Sequence, residues 1–215
     1  MTDRVAPGLW RLYVITDPKA SRGRSHLEVA GAAIAGGADV LQLRDKEAES
    51  GRLFREALAL RALTRDAGIP FIVNDRLDIA LAADADGVHV GQADLPASVV
   101  RRILGPARIL GVSVDTVEEA ILAEKDGADY LGVGPVFEAR GTKPDAGPPL
   151  GVERIARIRR RCGLPIVAIG GINAGNARTV REAGADAAAV ISAVGTADDI
   201  ADAVRRLKRI LEEAC

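Results

Sequence analysis

The sequence predicts an α/β chain folded as a single (β/α)8 barrel, the TIM-barrel architecture, and three observations carry the prediction. First, one junction recurs: an Ala-rich helical stretch closes on small residues and an aspartate, and a short apolar run follows at once. It stands at Gly36-Gly37-Ala38-Asp39 before Val40, at Ala85-Asp86-Gly87 before Val88, at Gly127-Ala128-Asp129 before Tyr130 and at Gly184-Ala185-Asp186 before Ala187. Glycine closes helices because it enters the left-handed conformation without a Cβ penalty. Second, strand-like and helix-like stretches alternate, and parallel strands need such crossovers. Third, the units number about eight, the count that closes a barrel. An open doubly wound sheet is the alternative, weakened because no Gly-x-Gly-x-x-Gly follows the first strand.

In chain order, strands are predicted near 9–16, 39–43, 70–74, 87–91, 109–112, 129–133, 165–169 and 187–191. Two of them open after a Gly-x-Pro junction, Gly68-Ile69-Pro70 and Gly163-Leu164-Pro165, where the missing proline N–H costs least. The stretch 51–67 carries Leu53, Ala57, Leu60 and Ala67 on one helical face, and the last helix carries Ile200, Val204, Leu207 and Leu211. The chain is read as one domain, 1–215, with a lid loop at 134–151.

Composition narrows the function. With 29 basic and 30 acidic residues among 215, the formal net charge is −1, which argues against a general nucleic-acid binder. No apolar run approaches the roughly 18 residues of a membrane span. Met1 to Gly8 holds no apolar leader core, so no secretory signal is expected. Cys162 and Cys215 show neither metal nor disulfide spacing and are read as reduced thiols of a cytoplasmic protein. Aromatics are 3%, which predicts a core of Ala, Val, Ile and Leu and leaves little for an aromatic stacking site.

In this architecture functional groups sit at the C-terminal ends of strands. After the second strand stands Gln42-Leu43-Arg44-Asp45-Lys46. Strand alternation puts Gln42 and Arg44 on the barrel side and Leu41 and Leu43 on the helix side. Arg44 and Lys46 beside an amide suit a phosphate or diphosphate, with an ordinary charged rim as the alternative. The third strand leads to Asn74-Asp75 and the fourth to Asp94. Two carboxylates without a histidine or cysteine cluster suit a hard cation such as magnesium. The alternatives are that Asp75 pairs with a neighbouring arginine and that Asp94 caps the helix beginning at Leu95-Pro96. His89, inside an apolar strand, is read as a satisfied core residue, and Ser113 after the fifth strand as bonding local backbone.

The stretch Gly134 to Gly151 is rich in Gly and Pro and has no period, which predicts a functional lid carrying the cation Arg140, Thr142 and the cation Lys143. Gly170-Gly171 after the seventh strand and Ile191-Ser192 after the eighth stand where barrels of this kind often hold a phosphate. The bland reading of Gly170-Gly171 is a tight turn.

These landmarks, in order, resemble the thiamine phosphate synthase (thiamine-phosphate pyrophosphorylase) family: QLRDK at 42–46, VNDR at 73–76, GVHVGQADL at 87–95, GVSV at 111–114, TKPDAG at 142–147, AIGGI at 168–172 and VISA at 190–193. The resemblance runs from Leu12 to Ala193. It implies a transferase of thiamine biosynthesis that joins 4-amino-5-hydroxymethyl-2-methylpyrimidine diphosphate to a thiazole ethyl phosphate, releasing pyrophosphate by a dissociative, magnesium-assisted reaction. It implies that Gln42, Arg44, Lys46, Asn74, Ser113 and Lys143 bind the pyrimidine diphosphate. Arg44, Lys46 and Lys143 then assist pyrophosphate departure, while Asp75 and Asp94 hold Mg2+. Thr142, Gly171, Ile191 and Ser192 fall to the thiazole phosphate. The family's Thr-x-Thr-Lys lid lacks its first threonine here, and Arg140 is expected to take over part of that phosphate contact.

Partners are then small-molecule substrates, with no nucleic acid or membrane and with a homo-oligomer left open. The rivals are a thiazole tautomerase of the same superfamily, an inert thiazole-phosphate-binding barrel and a sugar-phosphate epimerase. The first two have no use for a diphosphate-binding set beside a carboxylate pair. The third needs an acid/base pair inside the barrel, and none stands out.

Overall fold

The structure is a computed structural model describing residues 6–138 and 149–214. Eight parallel strands close into a barrel in sequence order: β1 Leu12–Thr16, β2 Val40–Leu43, β3 Phe71–Asn74, β4 Gly87–Val90, β5 Ile109–Val114, β6 Tyr130–Val133, β7 Ile166–Ile169 and β8 Ala187–Val190. β8 pairs with β1 through Leu12↔Ala188 to Val14↔Val190, which closes the ring. The helices between them are α1 His26–Ala35, α2 Ser50–Ala67, α3 Leu77–Ala82, α4 Ala97–Leu104, α5 Val117–Lys125, α6 Val152–Arg159, α7 Ala177–Glu182, the short α8 Ser192–Gly195 and α9 Ile200–Glu213. The predicted (β/α)8 fold is therefore the observed one. β1 starts later than 9 because Pro7–Leu9 forms a single 3-10 turn, and β5 runs two residues past 112.

Strand alternation divides the core in two. Leu12, Val14, Leu41, Leu43, Val73, Val88 and their counterparts face outward and pack under the helices. Tyr13, Ile15, Val40, Ile72, Tyr130, Val167 and Ala189 face inward, and Trp10 closes the barrel floor edge-on to Tyr13 and Tyr130. The aromatics, few as they are, gather in the barrel and do not vanish into a generic aliphatic core. α9 buries Ile200, Val204, Leu207 and Leu211 as its period predicts. On α2 the buried face continues through Thr64, while Ala67, the last residue of the helix, is exposed.

The recurring aspartate has a structural job. Asp39, Asp86, Asp129 and Asp186 each precede an even-numbered strand and reach sideways to the start of the preceding odd one. Asp39 accepts from the Arg11 and Leu12 amides at 3.0 and 2.9 Å. Asp86 accepts from Phe71 N at 2.9 Å, Asp129 from Leu110 N at 2.7 Å and Asp186 from Ile166 N at 2.7 Å. Each carboxylate also pairs with a cation from a helix: Lys208, Arg61, Arg101 and Arg159 respectively. Each of these amides lies at the foot of an odd strand, and a buried amide left without a partner is costly. Four copies of one carboxylate–cation clasp thus fasten the lower rim and leave the upper rim for chemistry. In the second copy the left-handed residue is Asp84 (φ 51°), not Gly87. Gly87 lies within β4, where a Cβ would stand 2.2 Å from the Ile109 carbonyl oxygen.

Candidate functional site

A cavity of about 180 Å³ opens at the C-terminal ends of the strands. Its wall brings together seven of the predicted residues: Gln42, Arg44, Lys46, Asn74, Asp75, Asp94 and Ser113. Gln42 and Arg44 face inward and Leu41 and Leu43 outward, as alternation requires. Gly171, Ile191 and Ser192 stand at the ends of β7 and β8, beside this wall but not in it. Arg140, Thr142 and Lys143, like the middle of the expected 134–151 lid, lie outside the described residues, as does Cys215.

The cations are not equivalent. Arg44 is buried and its guanidinium pairs with the buried carboxylate of Asp17, which directly follows β1. Asp17 was not singled out from the sequence, although the strand-end rule that found Arg44 points to it equally. Lys46 is half exposed, with Nζ 3.6 Å from Asp75 Oδ2. Asp75 thus pairs with a lysine and not with an arginine. It holds a left-handed backbone (φ 61°) and lines the cavity. Burial, then the neighbouring Asp94 carboxylate, pushes the Asp75 carboxyl above its ordinary range, against the pull of Lys46 and Arg44. A carboxylate held above its ordinary range beside a second carboxylate gives a pair of hard oxygen donors, which fits a divalent cation.

Asp94 does not cap a helix: α4 begins at Ala97 behind Pro96 with no side-chain cap, and Asp94 Oδ2 instead accepts from Gly91 N at 2.8 Å. Ser113 bonds His89 Nε2 at 2.9 Å and not local backbone. His89 is satisfied, as expected, with Nδ1 3.0 Å from Tyr130 OH, but it also lines the cavity. Tyr13 and Tyr130 line it too, so two of the few aromatics stand at the site. Gly170 and Gly171 are left-handed (φ 99° and 66°), and a Cβ at Gly171 would stand 2.6 Å from the Glu138 carbonyl oxygen. Both the turn and the close approach of the 134–138 segment therefore require glycine.

A second polar group lies outside this wall. His26, Asp45 and Glu56 place their ligand atoms within 4.8 Å of one another, an arrangement able to coordinate a divalent cation. His26 Nε2 is 3.2 Å from Glu56 Oε2 and 3.9 Å from Asp45 Oδ2, and His26 Nδ1 meets Thr16 Oγ1 at 2.8 Å. Asp45 is also paired with Arg52. Nothing in the spacing of these residues announced the group, since α1, the end of β2 and α2 meet only in the fold. Among the described residues no helix is long and apolar enough to cross a membrane.

Comparison with known proteins agrees along nearly the whole chain. A family model described as thiamine monophosphate synthase matches residues 12–194. The thiamine-phosphate synthase of Chloroflexus aurantiacus is 56% identical over 202 residues, covering 94% of this chain and 93% of that one. The enzyme of the same name from Moorella thermoacetica is 56% identical over 205 residues, covering 95% and 97%. Among solved structures, thiamine phosphate pyrophosphorylase from Pyrococcus furiosus superposes with a TM-score of 0.88 at 42% identity, covering 97% of this chain and 98% of that one.

Proposed function

We infer the chemistry of this cavity from one premise: the chain belongs to the thiamine monophosphate synthase family. It is a transferase of thiamine biosynthesis that condenses the aminopyrimidine diphosphate with thiazole phosphate to thiamine phosphate and pyrophosphate. The observation that carries the assignment of roles is the convergence of Gln42, Arg44, Lys46, Asn74, Asp75, Asp94 and Ser113 on one cavity from four neighbouring strand ends.

In this reading Gln42, Asn74 and Ser113 orient the pyrimidine diphosphate, and Arg44, Lys46 and Lys143 stabilise the departing pyrophosphate. Bond breaking leads, and the thiazole nitrogen then attacks the pyrimidine methylene carbon. Charge accumulates on the leaving group, so fixed cations aimed at it lower the barrier. Arg44 is well suited because Asp17 already fixes its fork, so little freedom is lost on binding. Asp75 and Asp94 hold Mg2+, which when bound supplies further neutralisation of the diphosphate. Thr142, Arg140, Gly171, Ile191 and Ser192 hold the thiazole phosphate, Arg140 standing in for the absent lid threonine. The 134–151 segment excludes water, which otherwise captures the electron-poor methylene carbon. No protein nucleophile is required. The reading includes one domain over 1–215, a cytoplasmic setting and small-molecule substrates.

The test is incubation with both substrates and Mg2+, following thiamine phosphate and pyrophosphate together. Equal amounts of the two products are expected. Thiazole tautomerised without coupling would overturn the reading in favour of the tautomerase.

A further inference from the structure

A chain of hydrogen bonds runs along the cavity wall from Gln42 to Ser113 through three residues, Tyr13, Tyr130 and His89, that have no role in the chemistry above. Gln42 Nε2 donates to Tyr13 OH at 2.9 Å. Tyr13 OH and Tyr130 OH are 3.0 Å apart. Tyr130 OH lies 3.0 Å from His89 Nδ1, and His89 Nε2 lies 2.9 Å from Ser113 Oγ. Burial pushes both phenols further from ionisation, so each keeps its single hydrogen.

One polarity satisfies every link. An amide nitrogen only donates, so Tyr13 accepts from Gln42 and gives its own hydrogen to Tyr130. Tyr130 then gives its hydrogen to His89 Nδ1. The neutral imidazole therefore carries its proton on Nε2 and donates it to Ser113 Oγ. The Ser113 hydroxyl hydrogen is left for the cavity. The reverse order directs both Gln42 and Tyr130 hydrogens at the Tyr13 oxygen and strands the hydrogen of Tyr13 inside the barrel.

The backbone makes room for this chain at two strand glycines. A Cβ at Gly111 would stand 2.2 Å from Tyr130 Cζ and 2.5 Å from His89 Nδ1, and one at Gly132 would stand 2.8 Å from His89 Cε1. Neither glycine has a positive φ, so space and not backbone conformation requires them. Glycine weakens a strand interior, and here the loss coincides with the phenol and the imidazole.

We propose that Tyr13, Tyr130 and His89 are positioning residues that lock Ser113 as a hydrogen-bond donor and Gln42 as an acceptor through its carbonyl. The cavity then selects a heterocycle that offers an acceptor toward β5 and a donor toward β2. An aminopyrimidine has that pattern, through a ring nitrogen and its amino group. This inference rests on the pyrimidine-binding role assigned to the cavity.

The test measures binding of the aminopyrimidine diphosphate by calorimetry in the wild type, Tyr130→Phe, Ser113→Ala and the double variant. Tyr130→Phe is expected to weaken binding roughly tenfold, the scale of one lost hydrogen bond. It is expected to leave the KM for the thiazole phosphate unchanged. In the Ser113→Ala background the same substitution is expected to have no further effect, because its action runs through that hydroxyl. Tyr13→Phe, which takes the acceptor from Gln42 Nε2, is expected to weaken binding through Gln42 and to lose that effect in a Gln42→Ala background. It serves as the second variant if Tyr130→Phe does not fold. Losses that add in the double variant overturn the positioning role and leave the pyrimidine-binding role standing. Absence of binding by the wild type overturns both.

Discussion

The four clasps on the lower rim differ in burial, and that difference predicts a ranked loss of stability. In Asp86→Ala the removed carboxylate is 8% exposed and its partner Arg61 is 14% exposed, with 2.8 Å between them. The substitution also orphans the amide of Phe71, a residue with no exposed surface. Breaking one side of a buried ion pair costs about 3–5 kcal/mol. An orphaned amide adds roughly 1–2 kcal/mol, offset as the Arg61 tip turns toward water. The expected total is about 4 kcal/mol, which in a chain of this length lowers the melting temperature by roughly 8–16 °C. Asp129→Ala removes a carboxylate that is 42% exposed, and water replaces much of what is lost. Its expected loss is roughly 1–2 kcal/mol. Asp86→Asn keeps an acceptor for the Phe71 amide but not the charge, so it falls between. Urea unfolding of the four proteins, followed by far-UV circular dichroism, gives the ranking. Equal losses in Asp86→Ala and Asp129→Ala would refute the burial argument.

Four further outcomes concern the proposed site. Asp94→Asn removes the carboxylate that opposes Asp75, so metal-free protein is expected to melt higher while Mg2+-dependent turnover falls at least tenfold; a lower melting point would show that the pair is not repulsive. Because the folded-state pKa of Asp75 is raised, the folded state binds that proton more tightly. Its stabilisation is present below the ordinary value of 3.8 and is lost as pH rises through the folded-state value, so the drop above 3.8 measured in metal-free wild type should flatten in Asp94→Asn. Gly171→Ala forces a Cβ to 2.6 Å from the Glu138 carbonyl oxygen, so the KM for the thiazole phosphate should rise more than that for the pyrimidine diphosphate, and equal rises would argue against the phosphate role. Arg140→Ala should likewise raise the thiazole KM selectively, and an unchanged KM would leave the missing lid threonine without a substitute.

Local signals made much of this molecule legible. The helix-ending glycines, the aspartate before each even strand and the apolar runs are set by backbone conformation and burial, which act over a few residues. They gave eight strands within a few residues of their observed limits. The strand-end rule and period-two alternation then placed Gln42, Arg44, Lys46, Asn74, Asp75, Asp94 and Ser113 around one cavity. Asp17 was overlooked, though its position after β1 obeys the same rule.

Tertiary structure decided what depends on distance across the barrel. The recurring aspartate is visible in the chain, but its acceptor role toward the neighbouring strand exists only once β1 lies beside β2 and β3 beside β4. His89 reads locally as a core histidine. Only the closed ring brings Tyr130 to one of its nitrogens and Ser113 to the other, from residues 41 and 24 positions away. The His26, Asp45 and Glu56 group and the Arg44–Asp17 pair arise in the same way. Sequence determined the elements and which side chains face inward, because those follow from the conformation and period of single segments. Which inward-facing groups share a proton, a charge or a ligand was decided by the register of eight strands, a property of the closed barrel that no single segment contains.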